Sequence, residues 1–313
     1  MNKNLYLSSY NRVKGFLNVE EPAFGFSLRD LRGDDPICVR VRRTLDNTQR
    51  DFRPSEIADG SLYVWVDGDY DGFVTRWYNQ FDETEYYEQN TTSVQPQIAR
   101  ESGGGIADAV TSDGQPFIPL QPYSIPSIDF GGFGFVTNGY LTGGDYTPDQ
   151  NLLIVAVVAP AAIDPSVDGF IFDNFTSSGR GLLQDDFGGG TYTFINDTSS
   201  TTPDRLRVPV PNTNLDEALV VITARIKADL VTIANNRFEI YLNGVLGNSD
   251  NGRLLSYQAR TGDTVIGAGT SGGSFPYKGK ISEILIYRGN SLDYTQKIVE
   301  KNVISYYLRD LHI

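Results

Sequence analysis

Residues 278–308 read KGKISEILIYRGNSLDYTQKIVEKNVISYYL, and this stretch decides the fold. From Ile281 to Tyr287 successive side chains alternate faces, so a regular strand points Ile284 and Ile286 one way and Ile281, Leu285 and Tyr287 the other. Apolar residues on both faces predict a central strand covered on both sides. After a glycine turn, Ser291 or Asp293 stands as an N-cap. In the helix that follows, Ile298, Val299, Val303, Tyr306 and Tyr307 fall on one stripe, with Lys297, Glu300, Lys301 and Ser305 opposite.

Composition agrees with a β architecture. Among 313 residues are 32 glycines, 18 tyrosines and 17 phenylalanines, a balance that favours strands and turns over a helix bundle. The single cysteine, Cys38, excludes an internal disulfide framework. No run is apolar and long enough for a membrane span. The polar start lacks a signal-peptide apolar region, which predicts synthesis in a cytoplasm and no membrane insertion. A formal net charge of -13 argues against nucleic acid as a partner.

Upstream of the closing stretch, strand signals recur between Gly, Ser, Thr and Pro clusters, at 152–158 (LLIVAVV), 170–172, 192–195, 206–210, 218–226 and 238–242. Asn243-Gly244 tolerates positive φ at both positions and marks a two-residue hairpin. Residues 23–32 (AFGFSLRDLR) read as a short helix stopped by Gly33 and Pro36. Residues 38–43 (CVRVRR) read as a strand with Val39 and Val41 on one face and Arg40 and Arg42 on the other. The expected organisation is an N-terminal arm, 1–21, and one domain, 22–313. That domain is all-β: a two-sheet jelly-roll sandwich with a short N-terminal helix and a C-terminal helix.

The closing strand, with Gly279, Ile281, Glu283 and Tyr287 ahead of a turn and helix, resembles the C-terminus of concanavalin A-like and laminin G-like jelly rolls, as does RFEIYLNG at 237–244. This resemblance implies a fold and no activity. A second one is more specific. SLRDLRGDDPICVRVRRTLDN (27–47), ADGSLYVWVDGDYDGFVTRWYNQ (58–80), QPQIARE (95–101) and DGQPFI (113–118) resemble the arabinofuranosidase B-type catalytic domain and its relatives in bacteriophages.

The departures from that family bear on activity. Where the family carries WYDQSGNGN, this chain has Trp77-Tyr78-Asn79-Gln80-Phe81-Asp82. The resemblance places the general acid after the run Val265-Ile266-Gly267-Ala268-Gly269, at Thr270 or Ser271, and neither hydroxyl protonates a leaving group at neutral pH. Retaining hydrolysis needs two carboxylates about 5 Å apart. The nearby candidates for the nucleophile are Asp185 and Asp186, in GLLQDDFGGG. The family's cysteines are missing too. The expectation is therefore the fold without its catalytic pair, and not an enzyme.

Two further constellations stand out. Asp67, Asp69 and Asp71 have the D-x-D-x-D-G spacing of a Ca2+ loop, although position twelve is Tyr78 instead of a bidentate Glu, and a polar turn explains the glycines equally well. No other cofactor is expected. Asp145, Asp149, Asp164, Asp168, Asp173, Asp185 and Asp186 read as loop acids that track composition. Among the aromatic residues near glycines, Trp77, Tyr86, Tyr87 and Tyr140 are the candidate carbohydrate-binding set, since rings offer contact area at low conformational cost.

A sugar-enzyme or lectin-like fold without an export signal or disulfides fits a virion component. The expected function is a bacteriophage structural protein of head decoration, neck or tail fibre, multimeric through assembly with other virion proteins and presenting a lectin-like domain to host surface glycan. The alternatives are a glycoside hydrolase or depolymerase and a purely architectural cement protein.

Overall fold

A computed structural model describes residues 17, 21–67, 70–100, 105–107, 116–117, 125–131, 138–145, 151–160, 168–175, 179–185, 190–197, 204–209, 219–227, 237–251, 263–269, 273–289 and 292–308. The closing strand, β20 (Gly279–Arg288), lies at the centre of the first layer. One edge pairs with β11 (Leu152–Pro160), and the ladder runs on through β16 (Val220–Lys227), β17 (Arg237–Leu242) and β18 (Val245–Asn251). The other edge takes β1 (Phe24–Ser27) and then β9 (Ile128–Asp129).

The second layer runs β3 (Gln49–Phe52), β2 (Val39–Arg43), β4 (Gly72–Asn79), β5 (Asp82–Glu88), β10 (Leu141–Asp145), β19 (Asp263–Ile266), β12 (Gly169–Phe175), β13 (Gly179–Asp185), β14 (Thr191–Asp197) and β15 (Asp204–Pro209). Short β6 (Gln97–Arg100) bridges β4 to β9, so the ladder passes continuously between layers, and β7 (Gly105–Ala107) and β8 (Pro116–Phe117) extend from it. Helices α1 (Pro54–Ala58) and α2 (Ser61–Val66) connect β3 to β4, and α3 (Leu292–Tyr307) closes the chain. Among the described residues no helix is long and apolar enough to cross a membrane.

The main core lies between the layers. Leu152, Ile154, Ala156 and Val158 of β11, Ile222 and Ala224 of β16 and Ile284 and Ile286 of β20 meet Val39, Trp77, Leu141, Phe172, Phe194 and Ile266 from the other layer. The odd positions of β11, Leu153, Val155 and Val157, face outward with Leu285 and Tyr287, and α3 covers them with Val299, Val303 and Tyr307. This explains the unbroken apolar run of β11: alternate residues belong to two different cores.

Two local expectations are corrected. Residues 23–32 do not form a helix: Phe24 to Ser27 pair antiparallel with Ile286 to Glu283, and Phe26 is fully buried against Tyr87 and Trp77. Partnership with a central strand outweighs a helical spacing of Leu28 and Leu31. Ile281 shares the core of Ile284 and Ile286, because the register slips between Val157 and Val158 and leaves Ser282 as an extra residue, a β-bulge that turns Ile281 over. The hairpin at Asn243-Gly244 forms as read, with φ of 49 and 78. Of the arm, only Leu17 and Glu21 are described; Leu17 is buried and donates its N–H to Leu31 O at 2.8 Å. Ser291 lies outside the described residues. Asp293 is engaged by Arg225 and Lys227.

Glu283 organises the seam between β1, β20 and α3. Its carboxylate accepts from Arg29 Nε at 2.6 Å and Nη2 at 2.9 Å, from Ser27 Oγ at 2.8 Å and from the Tyr307 hydroxyl at 3.0 Å. Burial opposes the Arg29 charge, but Glu283 outweighs it and holds the guanidinium above its ordinary range. Arg29 also lies over the Tyr306 ring at 4.4 Å.

Glu300, read from the sequence as solvent-facing, is instead buried, and burial raises its carboxyl above the ordinary range despite a hydrogen bond from Gln296. Between the unfolded value, about 4.3, and the raised folded one, the native state holds a proton that the unfolded chain has released. Stability therefore falls as pH climbs through that window. Glu300→Gln is expected to remove this slope in urea titrations run from pH 4 to 7; a wild-type slope retained in the variant would contradict the assignment.

Candidate functional site

Three further bulges decide which side chains reach the outer face of the second layer. In β12, Phe170 pairs with Leu183 and Phe172 with Leu182, so Ile171 is extra. Ile171 and Phe172 both enter the core, and Phe170 and Asp173 both lie over Gly181. A Cβ at Gly181 would come within 2.8 Å of the Phe170 ring and 3.2 Å of an Asp173 carboxylate oxygen, so only glycine leaves both seats open. In β4, Arg76 pairs with Arg40 and Val74 with Val41, which leaves Thr75 extra and turns Val74 and Trp77 inward. In β10 the register shifts between Gly143 and Asp145, with Gly144 extra.

Directly opposed residues share a face. The registers join Asp51, Arg40, Arg76, Glu88, Thr142, Val265 and Asp173 into one row across seven strands, a length of about 29 Å at the usual interstrand spacing. Four of the row's five charges form two ion pairs. Arg40 donates to Asp51 through two bonds, 2.7 and 2.8 Å, and the Tyr78 hydroxyl donates to Asp51 at 2.9 Å. Arg76 donates to Glu88 at 3.1 Å and lies 4.2 Å above the Tyr86 ring. Burial works against ionisation of Asp51, yet hydrogen bonds from Arg40 and Tyr78 outweigh it and hold the carboxyl below its ordinary range. Burial, with Asp51 as acceptor, pushes Tyr78 up.

At the Asp173 end a glycine-rich turn forms a rim. Gly267, at φ 87 with the Phe130 ring where a Cβ would be, donates its N–H to Ile171 O at 3.1 Å and accepts from Tyr277 N–H at 2.8 Å. Gly269 N–H donates to Ser274 O at 2.6 Å and Phe170 N–H to Phe275 O at 3.1 Å. These bonds fix Phe275, 54% exposed, edge-on to Phe170 at 6.3 Å, and set Gly273 against the half-buried Tyr140 ring. A recessed carboxylate, two phenylalanines and a tyrosine thus gather around the β19–β12 ladder.

The aromatic set is divided by this geometry. Tyr86 lies beside the row, under Arg76, and Tyr140 on the rim. Trp77 and Tyr87 are corrected to core residues: Trp77 is fully buried 5.9 Å from Phe26, and Tyr87 meets Phe26 edge-on while its hydroxyl pairs with Thr264. Neither has a free ring face for a sugar. Asp67 caps α2 at positive φ, Asp71 accepts from Gln97 at 2.8 Å, and Asp69 lies outside the described residues. Among the described residues no three His, Cys, Asp or Glu come together as a metal group. Thr270, Ser271 and Asp186 are also outside the described residues.

Asp173 and Asp185 are not loop acids. Both are buried in strands. Asp185 accepts from Thr193 at 3.2 Å and Arg207 at 3.1 Å, with Arg205 at 3.5 Å. Gly181 is the partner of Asp173, so Asp185 lies about 13 Å further along the neighbouring strand, beyond the roughly 5–9.5 Å that separates paired glycosidase carboxylates. Asp173 was missed because acids were counted by composition; the signal for it is an acid inside the strand pattern FIFDNF.

No family profile and no curated protein matches the chain. Solved structures do. An arabinofuranosidase complexed with arabinofuranosyl-α-1,2-xylobiose superposes with a TM-score of 0.59 at 12% identity, over 91% of this chain and 63% of its own. A GH54 α-l-arabinofuranosidase soaked with a cyclic sulfate inhibitor gives 0.60 at 12%, over 97% and 65%. The receptor-binding domain of botulinum neurotoxin D gives 0.43 at 12%, over 57% and 44%. The chain thus spans just under two thirds of the length of those arabinofuranosidases, and at this identity the likeness is one of fold. The expectation that the chain is not an enzyme is corrected here. It rested on a fold without catalytic groups, whereas the two arabinofuranosidase structures just described, both enzymes, share that fold over more than nine tenths of the chain, and a buried carboxylate stands beside the Val265 strand.

Proposed function

We propose that the chain is a carbohydrate-recognising β-sandwich that holds a sugar at the rim of Asp173, Phe170, Phe275 and Tyr140. The seat over Gly181 carries this reading, because it sets an aromatic ring beside a carboxylate. Phe275, exposed and edge-on to Phe170, offers an apolar plate to the C–H face of a sugar, and the carboxylate accepts strong hydrogen bonds from hydroxyls. The fold shared with an arabinofuranosidase bound to a branched xylobiose supports the same chemistry and supplies a probe. In calorimetric titration with arabinofuranosyl-xylobiose, Asp173→Asn is expected to weaken binding at least tenfold with an unchanged melting temperature. Equal affinities in the two proteins would remove Asp173 from the site.

Hydrolysis is the second reading, favoured by Asp173 lying opposite Val265, at the start of the glycine run. Release of 4-nitrophenol from 4-nitrophenyl α-l-arabinofuranoside, abolished by Asp173→Asn, is the outcome that supports it. The setting we propose is a bacteriophage particle, on the sequence resemblance at 27–47 and 95–101. Many copies on one particle, assembled with other virion proteins, multiply weak glycan contacts without any new one. Antibody labelling of purified particles tests that placement.

A further inference from the structure

The second layer is split beside the row. β5 and β10 pair only at Glu88 and Thr142, and the Gly144 bulge carries β10 away from β5. A cavity of about 580 Å³ opens in the gap, with Phe24, Phe26 and Tyr87 at its base and Glu85, Glu88 and Asn90 among its walls. Its base is built and braced. Gly143 lets the Tyr87 ring lie flat on the backbone, where a Cβ would come within 2.6 Å, and Thr264 donates to Gly144 O at 3.0 Å while pairing with the Tyr87 hydroxyl. Asn79 donates to Glu85 Oε2 at 3.1 Å, and Asn90 to Glu88 Oε1 at 3.3 Å, so both carboxylates are oriented.

We infer that this cleft is a second sugar subsite, and that with the row crossing its mouth it binds an extended, uncharged oligosaccharide whose other end lies at the Asp173 rim. The inference rests on the carbohydrate reading given above. Glu85, Glu88 and Asn90, already oriented, offer acceptors and a donor to a ligand with several hydroxyls, above an apolar base closed by Phe24, Phe26 and Tyr87. The ligand is uncharged because Arg40 and Arg76 are already paired with Asp51 and Glu88. Glu85 then leaves the cleft acidic, which disfavours uronic acids. The ligand is extended because Thr142 belongs both to the cleft lining and to the row that ends at Asp173.

Gly144 gives a direct test, since a Cβ there meets nothing within 4 Å and its φ is not in the left-handed region. Gly144→Trp therefore plugs the cleft without a clash at Cβ. The measurement is calorimetry with linear xylo-oligosaccharides of two to six sugars on the full chain, beside Asp173→Asn, with Glu85→Ala as a second cleft variant should Gly144→Trp fail to fold. Wild-type affinity is expected to rise at least tenfold from disaccharide to hexasaccharide, and the cleft variants to lose that rise. If they keep it while Asp173→Asn still weakens arabinofuranosyl-xylobiose, the cleft is not a subsite and the rim reading survives. If no sugar of either kind binds any form, both fall together. Tighter binding of a galacturonic acid oligomer of equal length would overturn the choice of an uncharged ligand.

Discussion

Glu283→Ala is expected to lower the unfolding free energy by about 3–5 kcal/mol, the usual cost of stranding one member of a buried ion pair. Arg29 and Glu283 are 1% and 0% exposed, so water cannot replace the lost partner. Ser27 and the Tyr307 hydroxyl lose their acceptor in the same step. Urea denaturation of the variant measures the effect, and Arg29→Met added to Glu283→Ala is expected to recover part of it by removing the uncompensated charge. A loss below about 1 kcal/mol, the range of a surface pair, would show that this seam does not organise the domain.

Larger still is the effect expected of ending the chain at Tyr277. β20 pairs with β1, β9 and β11, and it supplies Ile281, Ile284 and Ile286 to one core and Leu285 and Tyr287 to the other. Removing it with α3 opens the odd face of β11 to solvent and leaves three strands with unpaired edges, a surface that recruits other chains. The fragment 1–277 is expected in the insoluble fraction on expression. A soluble monomer with cooperative melting would refute the central placement of β20.

Much of this architecture is local enough to be legible in the sequence. The apolar run of β11, the Asn243-Gly244 turn and the order of closing strand and helix each carry their signal within a few residues. The bulges do not. Period-two reading assigns Ile281 with Leu285, and it has no means of placing Val74 and Trp77 on one face, because the extra residues Ser282 and Thr75 are set by the partner strand. The same limit hid the candidate site: Phe170 and Asp173 meet over Gly181 only after the slip at Ile171. Tyr86 and Tyr140 are only half-buried, whereas Trp77 and Tyr87 were misplaced because indole and phenol rings fill cores as readily as they stack on sugars.

The helix α3 covers the outside of the first layer, while the row from Asp51 to Asp173 lies on the outside of the second. The molecule therefore has a back and a front. Anchoring through α3, whether to a solid support or to an engineered carrier fused after residue 308, points every copy's row the same way into solution. An immobilised layer prepared in that orientation would keep its full ligand capacity, whereas coupling through the carboxylates of Asp51 or Glu88 would blind it.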